Sequence, residues 1–465
     1  MTKVITQETF DDVVKENIVE FSMSVEESRE ETVKQFEAQG INLANIIKDL
    51  NVNDESGVPF LKESVEWLRT KGTDLSGIDK ETVSKHLATI NAECKLSVPH
   101  RVLAAKLGAY DLIVEALEKG TTLDKEVVAK LIAAANSIVN KQPDVFNLKS
   151  LEVVSRLLKT ETDKALISDL LRWIQKACIL HEMNRQTIMA DSSIVKQFKV
   201  LVGHEEAEVV KNVCALVRYL ILDDDIRVEF GKAHEHARTL AAETLTDVTK
   251  LLFKFKSDQD LVCDLLLTIA TLTVRNEFCQ VVEDAGGLKF IMDAMVEFPE
   301  SIKIIRESCK LLKALAGNDA VKTHIIQNGA APLMESALNR HKDNEPFSRH
   351  ALVCVATLAL REKENSNALF ETGIAETIVQ TMKIHPTSKI VQRNGAWAIR
   401  NMVSRSREQC DTFVNHGAED VLNQALTDHP TIAHDVKSAL RDLGCKVHLN
   451  EEWKAHSDIQ IRNDE

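Results

Sequence analysis

The sequence predicts an all-α fold: a right-handed α-solenoid of three-helix repeats preceded by a helical N-terminal segment. Three observations predict it. Glycine and proline number only 16 and 8 in 465 residues, so few breakers interrupt a chain rich in Ala, Leu, Glu and Lys, which favour helix. Apolar residues recur at helical spacing. A glycine-punctuated block repeats every 43 or 44 residues over the C-terminal half, a period that marks a stacked helical array rather than one closed core.

The N-terminal 95 residues carry no repeat. Two amphipathic stretches, Phe10 to Phe21 and Val25 to Phe36, read as helices, with Thr9-Phe-Asp-Asp12 as a capping box opening the first. The first fifty residues hold 11 acids and 5 bases, so this segment is acidic. Asn51-Val-Asn-Asp-Glu-Ser-Gly57 reads as a linker. The expected organisation is an acidic helical segment at 1–95, a solenoid of seven to eight units at 96–453, clearest at 276–445, and a polar tail at 454–465.

The repeats fix their own phase. Gly286, Gly329, Gly373 and Gly417 lie 43, 44 and 44 residues apart, each four positions after an apolar residue: Val282, Ile325, Leu369 and Phe413. Pro299, Pro386 and Pro430 follow thirteen residues after three of them; in the remaining copy the proline slips to Pro346. Glycine supplies the left-handed backbone between a first and a second helix. Proline suits the opening turn of a third helix and cannot sit inside it. Fainter copies start near Gly108, Asn147, Asp191 and Gly231, the last holding an insertion around His234-Glu-His-Ala-Arg. The four glycines are expected at equivalent positions, and helix above about 65% with no sheet, well beyond an average domain.

Glycine before helix two, proline before helix three, and the run Asn394-Gly-Ala-Trp-Ala-Ile-Arg-Asn401-Met resemble an armadillo repeat. Residues 7–21 and 35–47 resemble the N-terminal region of the armadillo repeat-containing protein 6 family. The resemblance spans nearly the whole chain and implies a soluble intracellular repeat protein, and it brings no assigned reaction.

Composition excludes several function classes. A net charge of −14 disfavours nucleic acid and anionic membranes, both of which need a cationic surface. The most apolar stretch, Leu261 to Val274, contains Asp264 and reads as a buried helix rather than a membrane span. Met1 to Thr6 lacks the apolar core of a signal peptide. Nine scattered cysteines form no CxxC pair, so they read as free core thiols in a reducing compartment. The expected location is cytoplasmic, with the nucleus as a second compartment. No phosphate loop occurs. Gly286-Gly287 reads as the repeat turn, and His234-Glu-His236 lacks a third ligand at any recognisable spacing. No catalytic residue, cofactor, metal or small-molecule substrate is indicated.

What remains is protein binding: a scaffold or adaptor that holds a partner segment, protein or peptide, along the concave face lined by third helices. Trp397 and Asn401 stand one helical turn apart on one face. In armadillo proteins that bind extended peptides, such a pair supplies backbone hydrogen bonds and a packing surface. Arg393 and Arg400 flank them, and residues 365–408 hold six bases against three acids. The neighbouring repeats do not continue the pair: Ala215/Tyr219, Leu267/Thr271, Lys310/Ala314, Val353/Thr357 and Ser438/Asp442 stand in its place. An importin-like transport receptor would need that ladder, so this reading ranks second, and an enzyme of unrecognised type third. Candidate partner-binding residues are Trp397, Asn401, Arg400, Arg393, Thr357, Lys310, Lys313, Arg218 and Tyr219, with an acidic or neutral extended ligand expected around Trp397.

Overall fold

A computed structural model of the chain describes residues 3–48, 59–72, 74, 75, 77–120 and 123–447. Of these, 77% are helical. No strand occurs among the described residues; Lys3 and Ile41 form an isolated bridge. The expected linker at 51–57 and the tail at 454–465 lie outside them. The chain divides into two compact units, residues 1–237 and 238–465, with the boundary inside the helix Ala233–Lys254.

Unit 1 opens with the expected pair of helices, Gln7–Phe21 and Val25–Ala38. The first is capped by Thr6, whose hydroxyl accepts from the Thr9 N–H, not by a box starting at Thr9. The complete box lies in the second helix, between Ser24 and Glu27. Phe10, Phe36, Leu43 and Ile46 form a small core, with the two rings 6.2 Å apart. Asn17 donates to Thr32 between the helices at 3.0 Å.

The segment read as free of repeats ends on repeat-like structure. Phe60–Lys71 packs on Lys80–Leu96, and the latter lies against Lys125–Val139 as one third helix lies on the next. This helix is legible only through its packing, because no glycine phases it. Further third helices, Lys164–Cys178 and Ala207–Leu220, continue the layer. Trp173 sits fully buried beneath it, its Nε1–H donating to Tyr110 Oη at 3.2 Å while that hydroxyl donates to Ser150 Oγ at 2.9 Å.

Three-helix groups begin near Val98, Pro143, Glu182, Ala233, Asn276, Asp319, Lys363 and Cys410. In the second group a 3₁₀ turn, Pro143–Val145, replaces the first helix. In the fourth, first and second helices fuse into Ala233–Lys254. The irregular connection therefore lies at 221–232, ahead of the insertion expected at His234–Arg238. His236 is buried there, its Nδ1–H donating to Leu220 O at 3.1 Å.

Unit 2 is the regular array. Its third helices Gln259–Leu272, Ile302–Leu315, Glu345–Leu358, Lys389–Val403 and Ala433–Leu443 pack serially, each on its predecessor. Gly286, Gly329, Gly373 and Gly417 all precede second helices, with φ of 87°, 88°, 83° and 90°, the left-handed region closed to most other residues. A histidine ladder repeats at the other end of the second helices. His341, His385 and His429 donate Nε2–H to Pro299 O, Lys342 O and Pro386 O at 2.8, 2.7 and 2.8 Å. Each clamps one repeat to the one before by capping a carbonyl at or just past the end of the preceding second helix.

Candidate interaction surface

The third helices of unit 2 are buried on the sides that meet first and second helices and neighbouring third helices, leaving one open stripe. On Lys389–Val403 that stripe holds Arg393, Trp397, Arg400 and Asn401, all half-buried. On Glu345–Leu358 it holds Arg349, His350, Val353 and Thr357; on Ile302–Leu315, Arg306, Lys310 and the exposed Lys313. The repeat period places Arg306, Arg349 and Arg393 at the same rung of three successive helices, 43 and 44 residues apart.

The Arg393 guanidinium lies 4.8 Å from the centroid of the Trp397 ring, a cation–π contact that fixes both groups with their outer faces open. Arg306 Nε and Lys310 Nζ both donate to Glu307 Oε1, at 2.9 and 3.0 Å. Arg400 Nε reaches Asp442 Oδ2 at 3.3 Å, and Arg441 meets Oδ1 of the same carboxylate at 3.0 Å. The carboxylates that meet these cations are themselves buried, Glu307 at 4% and Asp442 at 7% exposure. The solvent-facing charge of the stripe is therefore positive on a protein of net −14. His350 registers this field: burial first, then Lys310 and Arg349, with Arg306 beyond, push its pKa down to about 4 against the opposing pull of Glu307.

Asn401 plays a different part from the one its spacing suggests. Its Nδ2 donates at 2.8 Å to Ala356 O of the preceding third helix, and Asn394 likewise donates to Arg349 O at 2.7 Å. These amides are rungs between helices, so one of the two N–H donors that could meet a ligand backbone is already engaged. The Thr357 hydroxyl turns to its own helix and donates to Val353 O at 2.7 Å. Arg218 and Tyr219 lie half-buried on Ala207–Leu220 in unit 1. Unit 2 thus brings together Trp397, Arg393, Arg400, Lys310 and Lys313. Arg306, Arg349 and His350 were not singled out from sequence, although stepping back from Arg393 by 44 and then 43 residues finds both arginines.

A layer of third helices, left-handed glycines between first and second helices, and a repeat of 43 or 44 residues define an armadillo-type α-solenoid. A crystal structure of an engineered protein has the same fold, with TM-score 0.68 at 18% identity over 83% of this chain and 89% of its own. The family described as ARMC6 matches residues 66–462, and the armadillo repeat-containing protein 6 N-terminal domain matches residues 2–58. The armadillo repeat-containing protein 6 homolog of Drosophila melanogaster is 50% identical over 99% of this chain and 100% of its own length. Armadillo repeat-containing protein 6 of Homo sapiens is 32% identical over 79% of this chain and 76% of its own. The chain belongs to the armadillo repeat-containing protein 6 family.

Proposed function

We propose that the protein is a non-enzymatic scaffold whose unit 2 holds an extended, acidic segment of a partner protein along its open third-helix stripe. The observation that carries this reading is the arginine rung Arg306, Arg349 and Arg393, capped at one end by the Arg393–Trp397 pair. Packed helices stand about 8–10 Å apart, and a chain extended as polyproline II advances about 3.1 Å per residue and returns every third side chain to one face, so carboxylates three residues apart can meet successive arginines. Trp397 offers an apolar face to the side-chain stems between them. A positive stripe on an acidic protein also steers acidic ligands to this face and repels them elsewhere. A basic import cargo would meet repulsion here. Residence in the cytoplasm, with access to the nucleus, belongs to the same proposal, since free cysteines along the solenoid suit a reducing compartment.

The test is fluorescence anisotropy with a labelled peptide of about twelve residues carrying glutamate at every third position, and its lysine counterpart. The glutamate peptide should bind, more weakly as salt rises. The double change Arg349→Glu/Arg393→Glu should weaken it by at least about tenfold, or about 1.4 kcal/mol, with the melting temperature kept. Equal binding of both peptides, or indifference to the double change, would overturn the proposal.

A further inference from the structure

A second surface lies in unit 1, independent of the arginine stripe. The connection at 221–232 displays two large apolar side chains to water: Ile226 at 101% and Phe230 at 82% exposure. Leu180 and Met183, at 56% and 57%, stand beside them. The two segments are joined directly, because Arg227 Nη2 donates to Leu180 O at 2.7 Å and the Glu182 N–H donates to Asp225 Oδ2 at 2.9 Å.

This connection is held rather than loose. Arg185, 1% exposed, donates from Nη1 to Asp224 Oδ1 at 2.6 Å, from Nε to Glu182 Oε2 at 2.9 Å, and from Nη1 to Cys178 O at 2.7 Å. Asp224 Oδ2 accepts from the Leu180 N–H at 3.2 Å, and Glu182 Oε1 from the Lys232 N–H at 2.7 Å. Arg227 spans Asp225 and Asp144, at 2.8 and 3.0 Å; its hydrogen bond to Asp225 is the main cause that holds that carboxyl far below its usual range. Leu180 itself has φ of 52°. The corresponding turns after other third helices place Lys141 and Arg361 in that region, with φ of 61° and 66°; here an apolar residue takes the position and faces solvent.

Buried charges anchor both ends of a loop whose tip is apolar, so the tip is presented with little conformational freedom left to lose. That is how an anchor residue of an interface is displayed. The rim sets the partner's chemistry. Residues 221–232 carry Asp223, Asp224, Asp225 and Glu229 against Arg227 and Lys232. Asp223 and Glu229 are exposed, and Asp144, with 67% of its side chain exposed, lies at the Arg227 end. An acidic rim repels a second acidic copy of this chain and an anionic bilayer alike. We infer that the loop 221–232, with Leu180 and Met183, is a docking surface for a protein segment that brings apolar side chains flanked by lysine or arginine.

The experiment is selection of a phage-displayed library of random peptides against the full-length chain, followed by affinity measurement of the enriched peptides. The expected winners combine large apolar residues with lysine or arginine. They should bind Ile226→Ser/Phe230→Ser at least about tenfold more weakly, and Asp223→Lys/Glu229→Lys more weakly as well. Both positions of the first pair are exposed, so that variant should melt as the wild type does. The stripe variant Arg349→Glu/Arg393→Glu should bind the same peptides unchanged. Failure to enrich basic apolar peptides, or enrichment only of ones indifferent to Ile226→Ser/Phe230→Ser, would overturn the inference, as would acidic peptides that lose affinity in that variant. So would phosphatidylcholine vesicle binding that is lost in that variant, which would make the tip a membrane contact. A concentration-dependent dimer abolished by the same variant would overturn it in favour of self-association.

Discussion

The two units solve the same folding problem with different chemistry. In unit 2 the four separate first helices end on left-handed glycines, and the second helices after Gly329, Gly373 and Gly417 are each clamped by a histidine to the preceding repeat. In unit 1 the first such corner is again a left-handed glycine, Gly108 with φ of 80°, but the next two are made by side chains. Asp191 has φ of −83° and accepts from the N–H groups of Ser193 and Ile194; Asn147, at −133°, forms a box with Ser150. A glycine corner needs nothing from its surroundings, whereas an Asx corner depends on a helix N-terminus being in place to donate. Regular corners hold third helices in strict register, which is what aligns Arg306, Arg349 and Arg393. The less regular unit gives up that register and uses a buried ion network to fix an inserted loop. The comparison teaches that in one solenoid, regularity produces a groove and irregularity produces a presented loop.

The largest expected effect breaks the irregular side of that comparison. Arg185→Ala leaves Glu182, itself 1% exposed, and Asp224 without their cation. Removing one partner of a buried ion pair costs about 3–5 kcal/mol, so the variant should show a large fall in the unit 1 melting transition. Hydrogen exchange should localise the loosening to 179–186 and 221–232. A melting temperature within error of wild type would show that the network is ornament to the loop rather than its anchor.

The corners offer a smaller and more discriminating contrast. At Gly373 an added Cβ would meet nothing within 4 Å, so Gly373→Val tests backbone conformation alone and should cost about 1–2 kcal/mol. In unit 1 the order reverses. Asp191→Ala loses a cap and should cost about 1 kcal/mol, while Asp191→Gly should cost only a few tenths. Denaturant titration of the three variants checks this. A Gly373→Val variant as stable as the wild type, or an Asp191→Gly variant no more stable than Asp191→Ala, would break the claim that two devices are in use.

Legibility followed the same division. The unit 2 corners were readable because only glycine fits a left-handed position without strain, and its spacing survives in the chain. The helix Lys80–Leu96 was not readable as part of the array, since no glycine phases it and its role rests on packing against Lys125–Val139. His341, His385 and His429 stand 44 residues apart in plain view, yet a histidine becomes a clamp only when a carbonyl of the neighbouring repeat is in reach. Trp397 and Asn401 were found by helical spacing, and spacing says nothing of the Ala356 carbonyl 45 residues back that takes the Asn401 amide. The loop 221–232 stayed hidden because nothing in the chain's spacing tells that Arg185 meets Asp224 and that Arg227 and the Glu182 N–H meet Asp225.

The smallest expected effect uses one histidine from each unit. Burial lowers the pKa of both His236 and His350, the latter to about 4. An unfolded histidine titrates near about 6.5, so below that pH the unfolded chain binds the proton more tightly. Stability should therefore fall as pH drops through about 6.5 toward 4, and be fully present above it. His350 is only half-buried, and solvent screening holds its share to about 1 kcal/mol by pH 5. The two residues then part company over ligand. At His236 the lowering is due mainly to burial, and Leu220 O, Glu182 and Glu235 oppose it. At His350 the cations Lys310, Arg349 and Arg306 add to burial, and an acidic segment laid across the stripe would neutralise them. Bound ligand should raise the His350 pKa, so affinity for the glutamate peptide should strengthen from pH 7 to about 5.5 and the gain should vanish in His350→Gln. His236→Gln should leave that pH dependence untouched. A pH profile lost in the His236 variant and kept in the His350 variant would place the ligand's field in the other unit.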